Sequence, residues 1–498
     1  MASISIYSTN SNLIGSSVFS TRNYQSCSSA FESTSFTSKS STATSLSLSV
    51  NETRRIRPRP VRFSVMDAVV NTNHHFDVVI VGAGIIGLTI ARQFLIGSDL
   101  SVAVVDKAVP CSGATGAGQG YIWLGNKTPE SDKWGLAKRS HRLWEMLAEK
   151  VDEEGMDSLE ELGWKKTGSL LVGRTLEESI MLKRRVNQLT EAGLRAEYLS
   201  SIDLLSKEPE LFVGNDGGAA FFPDDCQLDA CRAASFIEKA NRQFAPKGRY
   251  TEFYNEAVTG LIRSISSGDV EAVQTSKNML YGKKAIVLAA GSWSGLLMED
   301  LVRGLDITLN VPVEPRKGHL LVLENFSCFQ LNHGLMEMGY VDHQVVSLTS
   351  GHEDQEQTLF VSMTATMDLM GNLVLGSSRQ FSGFNIQVDE SVVLSLWKRA
   401  GDFFPKLREQ SLTDFIKSRK VRIGLRPYMP DGKPVIGPVP GLSNLYLATG
   451  HEGEGLTLAL GTAEMVADMV LGNTPHVDTA PYAVQGRCCL FNVLKREF

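Results

Sequence analysis

The sequence predicts an α/β fold: an open sheet assembled from three separate stretches of chain, with an α+β domain built from the segments between them. Three observations predict it. A short β-branched run, Phe76–Val81, ends at Gly82, continues at helical spacing over Leu88–Ile96, and leads to a second buried-strand pattern, Leu100–Val105. Two further apolar runs of strand length, Ala285–Ala290 and Leu445–Ala448, run into Gly291 and Gly450. The intervening stretches have another character. Trp134–Ser201 is charged and helical with one strand-like run at Ser169–Val172, and Val311–Ser418 alternates as strands do before a helix around Ser391–Phe404.

The first strand, helix and second strand make a βαβ unit of about 30 residues. The last strand is followed by a helix, Leu456–Leu471, with Leu456, Leu460, Ala463, Val466 and Val470 on its apolar stripe. His319–Leu323 and Leu373–Leu375 read as strands of the inserted domain. The expected division is 76–125, 220–300 and 421–475 for the cofactor domain, 126–219 and 301–420 for the substrate domain, and 476–498 as a C-terminal tail. Ligands of open α/β sheets lie beyond the carboxyl ends of the strands, so the loops after Val81, Ala290 and Ala448 should converge on one site.

Composition narrows the function classes. The longest uncharged apolar run, Val78–Ala91, is broken by Gly82, Gly84 and Gly87 and suits a strand and helix better than a membrane span. Residues 1–65 are rich in Ser and Thr and hold seven basic residues against two acids. Arg54, Arg55, Arg57, Arg59 and Arg62 stand just before the first strand. That pattern is expected of an organelle transit peptide, plastid first and mitochondrion second; a disordered Ser/Thr tail is the other reading. The whole chain is at −6, so without those seven bases and two acids the remainder carries −11. A domain that acidic is a poor binder of nucleic acid. Seven cysteines are scattered without CxxC or Cys/His metal spacing, so no metal site is expected.

The strongest motif is Val-Gly-Ala-Gly-Ile-Ile-Gly at Val81–Gly87. Gly82 permits the tight turn, Gly84 leaves no side chain between backbone and pyrophosphate, and Gly87 lets the helix pack on the strand. Ala83, Ile85 and Ile86 complete the loop, whose N–H groups and helix dipole favour phosphate. Asp106, 19 residues after Gly87 at the end of the second strand, can accept hydrogen bonds from a ribose, with Lys107 beside it. This Rossmann-like signature does not itself separate NAD from FAD.

Three further features resemble the D-amino-acid oxidase / glycine oxidase superfamily of flavoenzymes over nearly all of residues 76–472. One is the loop Ser112-Gly-Ala-Thr-Gly-Ala-Gly-Gln-Gly120; the resemblance implies that Ala114, Thr115, Gln119 and Gly120 wrap the pyrophosphate and approach the flavin. Another is Val287-Leu-Ala-Ala-Gly-Ser-Trp293, which implies cofactor contacts for Ala290, Gly291 and Trp293, with the Val258 backbone at the adenine. The last is Gly424-Leu-Arg-Pro427, Asp431-Gly-Lys-Pro-Val-Ile-Gly437 and Gly450-His451 leading to Gly455. It implies that Glu454, Gly455, Leu456 and Thr457 open a helix toward the flavin.

The resemblance implies oxidation of a C–N bond by hydride transfer to FAD, on an amino-acid-like small molecule. Arg426, in its Gly-x-Arg-Pro setting, is the expected carboxylate clamp, because guanidinium matches a carboxylate bidentately. His451 and Tyr428 either line the pocket or satisfy local hydrogen bonds. Tyr121, Trp123 and Trp293 are expected to pack beside the flavin. The loop His451-Glu-Gly-Glu-Gly455 has Gly453 where glycine oxidase-like enzymes often carry a second arginine, and is similar to the flavin subunits of bacterial opine and D-hydroxyproline dehydrogenases. That implies a secondary amine or substituted amino acid. Pro427–Pro430 lacks the cysteine, and Ser112–Gly120 the histidine, through which relatives attach flavin, so the FAD should be noncovalent. The electron acceptor, whether oxygen, a quinone or a protein, is left open. So are three rivals: a 2-hydroxy-acid dehydrogenase of this fold, an NAD-dependent dehydrogenase, and a non-catalytic flavin-binding subunit. The acidic loop Glu452–Glu454 and the insertion Gly351–Thr358 leave room for the last.

Overall fold

An unbroken apolar run in a strand must bury both faces, and the centre of the first sheet is built from such runs, Val78–Val81, Val102–Val105 and Ala285–Leu288. In this computed structural model, which describes residues 72–264, 266–303, 307–340, 359–411, 415 and 419–492, five strands run parallel. Their order is Leu445–Thr449, Asn278–Leu288, Thr72–Val81, Val102–Val105 and Tyr250–Phe253. Val435–Pro438 borders the first of them antiparallel, and the hairpin of Val258–Arg263 with Val270–Thr275 joins Asn278–Leu288. Side chains alternate across the sheet. Val78, Ile80, Val102, Val104, Ala285 and Val287 share a core with the helices Ile85–Gly97, Trp134–Glu153, Ala230–Arg242 and Gly455–Leu471. Val79, Val81, Ala103, Val105, Ile286 and Leu288 belong to a second core. Full burial of each such Val, Ile or Leu contributes roughly 1.5–3 kcal/mol.

The second sheet has eight strands, in the order Arg419–Tyr428, Glu314–Leu323, Leu373–Phe381, Phe360–Met367, Gly334–Glu337, Ser169–Gly173, Gly218–Phe222 and Glu197–Ser200. All neighbours pair antiparallel except Gly334–Glu337 with Ser169–Gly173. The helix Glu390–Phe403 shares a core with it through Val393, Trp397, Ala400 and Phe403. Leu182, Val186 and Leu189 of the helix Leu176–Glu191 join another.

Two boundaries differ from the sequence reading. The helix Trp134–Glu153 shares its main core with the cofactor sheet, and only its first residue, Trp134, packs against the core of the second sheet. Its Leu136, Ala137, Trp144 and Ala148 are buried, and Gly461 lets the last helix approach closely: a Cβ there would lie 2.9 Å from Leu136 Cδ1. The Trp144 indole N–H donates to the Leu456 carbonyl at 2.9 Å. Arg419–Tyr428 crosses the expected boundary at 421, because its ladder runs along Glu314–Leu323 in the second sheet. The last helix also buries a wider face than its predicted stripe, taking in Thr457, Thr462, Glu464 and Asp468. The expected transit segment 1–65 and the insertion 351–358 lie outside the described residues. Among the described residues no helix is long and apolar enough to cross a membrane.

Candidate active site

The loops after the three parallel strands do converge. Gly82 N–H donates to the Val105 carbonyl at 2.8 Å, Ala289 N–H to that of Val81 at 2.8 Å, and the Thr449 hydroxyl to that of Gly291 at 2.9 Å. The glycines of the first loop divide the work. Gly82 has φ +116°, and a Cβ on it would sit 2.3 Å from the Ala289 carbonyl oxygen. A Cβ on Gly87 would sit 1.9 Å from the Gly82 oxygen. Both are needed for backbone to pack on backbone. Gly84 differs: its nearest neighbour would be the Thr115 hydroxyl at 3.4 Å. It therefore borders an open cradle at the N-terminus of Ile85–Gly97, a helix with no acidic side chain in its first turn. Thr115 Oγ1 accepts the Ile85 N–H at 3.1 Å and ties the glycine-rich loop to that terminus.

Asp106 braces the same turn. Its two carboxylate oxygens accept the N–H of Ala83 at 2.7 Å and of Ala108 at 2.8 Å. Each oxygen keeps lone-pair capacity for a ribose hydroxyl. Asn255 and Glu256 donate their N–H groups to the carbonyls of Ala108 and Asp106, which brings the start of Val258–Arg263 beside this strand end. Lys107 is exposed, and its ammonium lies 4.0 Å from the centre of the Trp293 ring.

The second sheet supplies the opposite wall. Gly424, Arg426 and Tyr428 alternate onto one face of their strand. A Cβ on Gly424 would be 3.1 Å from Ala117 Cβ and 3.6 Å from Ala114 Cα, so this face looks onto the glycine-rich loop. Arg426 lies across the ladder from Arg316 and spreads its guanidinium over Gly318, where a Cβ would come within 2.4 Å of Nη1. That Nη1 donates to the Ser378 carbonyl at 2.9 Å. Tyr121 and Trp123 stack with ring centres 3.9 Å apart nearby on the strand that follows the loop.

Other expected site residues have commitments of their own. His451 is buried, its Nε2 is 3.0 Å from the Thr462 hydroxyl, and it thus takes the local hydrogen-bonding role. Tyr428 lies under Arg316, whose guanidinium carbon is 4.9 Å from the ring centre. Both ends of the Gln119 amide serve the second sheet, Nε2 on the Val374 carbonyl and Oε1 under the Thr364 hydroxyl, each at 2.9 Å. The Glu454 carboxylate is held by Lys127 at 2.5 Å and Lys133 at 2.7 Å. Burial works against its charge, but the two ammonium groups hold it well below the usual carboxylate range. Thr457 donates its hydroxyl to the Tyr121 carbonyl at 2.9 Å, which fixes the last helix beside the loop.

A family model described as DAO, FAD dependent oxidoreductase, matches residues 77–469. The chain belongs to this family. Within it, the chain is 29% identical over 422 residues to a glycine oxidase of Pseudomonas aeruginosa, covering 82% of this chain and 99% of that one. It is 26% identical over 459 residues to a D-amino acid dehydrogenase of Agrobacterium fabrum, covering 82% and 99%. The crystal structure of glycine oxidase from Geobacillus kaustophilus superposes with a TM-score of 0.67 at 23% identity, over 83% of this chain and 99% of that one. The family's FAD fits the residues present. The open cradle at Gly84 would take the pyrophosphate, Asp106 the ribose, and the N-terminus of Gly455–Leu471 the anionic side of the ring.

Six site residues escaped the sequence reading: Lys127 and Lys133 on Glu454, Arg316 and Arg379 beside Glu452, Tyr340 under the Arg379 guanidinium and, as a charge with a role, Glu452 itself. Burial would raise the Glu452 carboxyl, but Arg379, Arg426 and Arg316 together bring it down to about 2. Arg316 and Arg379 lie outside the strand runs His319–Leu323 and Leu373–Leu375 read from the sequence, and their convergence follows from register, which one sequence does not display.

The buried histidines make stability depend on pH. Burial pushes His451 down to about 3 and, with Lys317 adding to it, His319 down to about 4, from 6.5. Both stay neutral in the folded protein while the unfolded chain takes up protons below about 6.5. Their stabilisation is complete above that pH and is lost as pH falls through the folded values. The melting temperature should therefore fall from pH 7 toward pH 4, and His451→Asn should flatten part of that slope. An unchanged slope in His451→Asn would show that this ring does not titrate as described.

Proposed function

We propose that this enzyme oxidises the C–N bond of an amino acid or secondary amine that carries a carboxylate. The observation that carries the reading is Arg426. Its guanidinium is half-buried on the wall facing the glycine-rich loop, with Nη1 on a backbone carbonyl and the rest of its planar fork left to a ligand. The names of the relatives, glycine oxidase and D-amino acid dehydrogenase, support the same substrate class.

Bound FAD supplies a two-electron acceptor for the C–H next to nitrogen, and water hydrolyses the resulting imine. Arg426 binds the carboxylate and so fixes which carbon faces the ring. Tyr121 and Trp123 make an apolar wall that keeps water from the reacting bond. His451 is committed to Thr462 and burial leaves its ring too weakly basic to hold the amine's proton, so the amine arrives having lost that proton to solvent. The FAD is held noncovalently, and acid should release all of it as FAD; flavin left on the precipitated polypeptide would contradict this. The segment 1–65 directs the chain to the plastid, with the mitochondrion as the other destination. Oxygen, a quinone or a protein takes the electrons.

The test is an anaerobic screen that follows loss of flavin absorbance. Amines bearing a carboxylate should bleach the flavin, and 2-hydroxy acids should not. Bleaching by hydroxy acids alone would overturn the proposal.

A further inference from the structure

Among the described residues, one buried group of charges is out of balance. Arg316, Arg379 and Arg426 stand on the same face of the second sheet, the face that looks onto the glycine-rich loop. Arg316 pairs with Arg426 on one side and with Phe381 on the other, and Arg379 precedes Phe381 by two residues. Arg379 is 1% exposed and Arg316 6%. The carboxylate beside them is Glu452, whose Oε1 is 3.8 Å from both Arg316 Nη1 and Arg379 Nε. That is beyond hydrogen-bond reach. Arg316 Nε, Arg379 Nε and Nη2, and Glu452 Oε1 are all buried without a hydrogen-bond partner.

Three guanidiniums face one ionised carboxylate, which leaves two positive charges uncompensated. Buried ions persist when they are paired and hydrogen-bonded, so unmet guanidinium N–H groups at this depth mark the place of missing acceptors. The loop leaves room for them. Gly453 has no side chain, and a Cβ there would be 3.6 Å from the Tyr340 hydroxyl and 3.7 Å from Arg426 Nε. Glu452 itself is held at φ 47°, in the left-handed region, where a residue with a side chain is strained. The fold thus keeps one acid among three arginines at a conformational cost, and still stops short of neutrality.

We propose that the pocket takes a dicarboxylic amino or imino acid, with one carboxylate on Arg426 and the second on Arg316 and Arg379. This deepens the amine-oxidation reading and rests on it for the role of Arg426. A monocarboxylate leaves one buried positive charge unmatched; a dicarboxylate matches both. The second carboxylate also meets donors on two neighbouring strands, so it fixes the substrate at two points.

The experiment uses the FAD-loaded enzyme and two inert acids of similar shape, thiodiacetate and (methylthio)acetate, titrated by perturbation of the flavin spectrum at constant ionic strength. Thiodiacetate should bind about a hundredfold more tightly. Arg379→Met and Arg316→Lys should each lower that ratio, by about tenfold or more for the first and less for the second. FAD content and melting temperature report whether each variant is folded, and the wild-type ratio decides the matter if Arg379→Met is not. A wild-type ratio below about three, or a ratio unchanged in both folded variants, overturns the proposal. Its failure is distinguishable from failure of the oxidation reading. If monocarboxylic amines bleach the flavin and thiodiacetate has no advantage, amine oxidation stands and the second subsite falls. If thiodiacetate has its advantage and no amine bleaches the flavin, the subsite stands and the oxidation reading falls.

Discussion

Arg426→Ala should lower catalytic efficiency on a carboxylate substrate by roughly two to four powers of ten, equivalent to about 3–5 kcal/mol, with FAD content unchanged. The size follows from leaving a bound carboxylate without its partner in a site bordered by Gly318, Gly453 and the glycine-rich loop. Arg426→Lys keeps the charge but gives up the planar fork, and should recover only part of the loss. The variant does not strip Glu452 of its counter-charges, because Arg316 and Arg379 remain. Steady-state kinetics with an amino acid and its methyl ester decide the matter. Wild type should strongly prefer the acid, and Arg426→Ala should nearly abolish that preference. Loss of FAD from Arg426→Ala would make the residue structural, and an intact preference would place the clamp elsewhere.

Gly84→Val should give a folded protein recovered largely without FAD. The three glycines of the loop predict different failures. At Gly82 and Gly87 a side chain collides with backbone at 2.3 Å and 1.9 Å, so substitution there damages the fold itself. At Gly84 the nearest atom is a hydroxyl at 3.4 Å, so the first carbon of a side chain is accommodated and the branched remainder fills the phosphate cradle. The variant should melt at the temperature of wild-type apoprotein and gain little on adding FAD, because stabilisation by a ligand follows its affinity. Flavin absorbance per polypeptide and melting curves with and without FAD check this. A Gly84→Val protein with full flavin content would show that the pyrophosphate does not lie on this turn.

The cofactor half was legible because its requirements are local. Gly82, Gly84, Gly87 and Asp106 fall within one βαβ unit, and each answers a constraint on neighbouring backbone. Four of the five parallel strands were legible because burial on both faces leaves unbroken apolar runs, although the strand predicted to end at Ala290 ends at Leu288; the edge strand Tyr250–Phe253 was missed because Thr251 and Glu252 interrupt it. The substrate face was less so. Arg426 was found through its Gly-x-Arg-Pro setting, whereas Arg316 and Arg379 come from strands over 40 residues away and meet it only through the register of two antiparallel ladders. Lys127 and Lys133 belong to no motif in the sequence, yet they neutralise Glu454 at the start of the last helix. The helix Trp134–Glu153 was assigned to the wrong domain because its charged residues dominate its composition. Its apolar stripe, with Trp144 at the centre, decides where it packs.

A single anaerobic turnover tests the account most directly. The FAD-loaded enzyme is mixed under argon with a carboxylate-bearing amine until the flavin is fully bleached, then quenched, and the products are counted. One oxo acid and one amine or ammonia should form for each FAD reduced, and the corresponding 2-hydroxy acid should cause no bleaching. Bleaching by the hydroxy acid with no reaction of any amine would contradict this account.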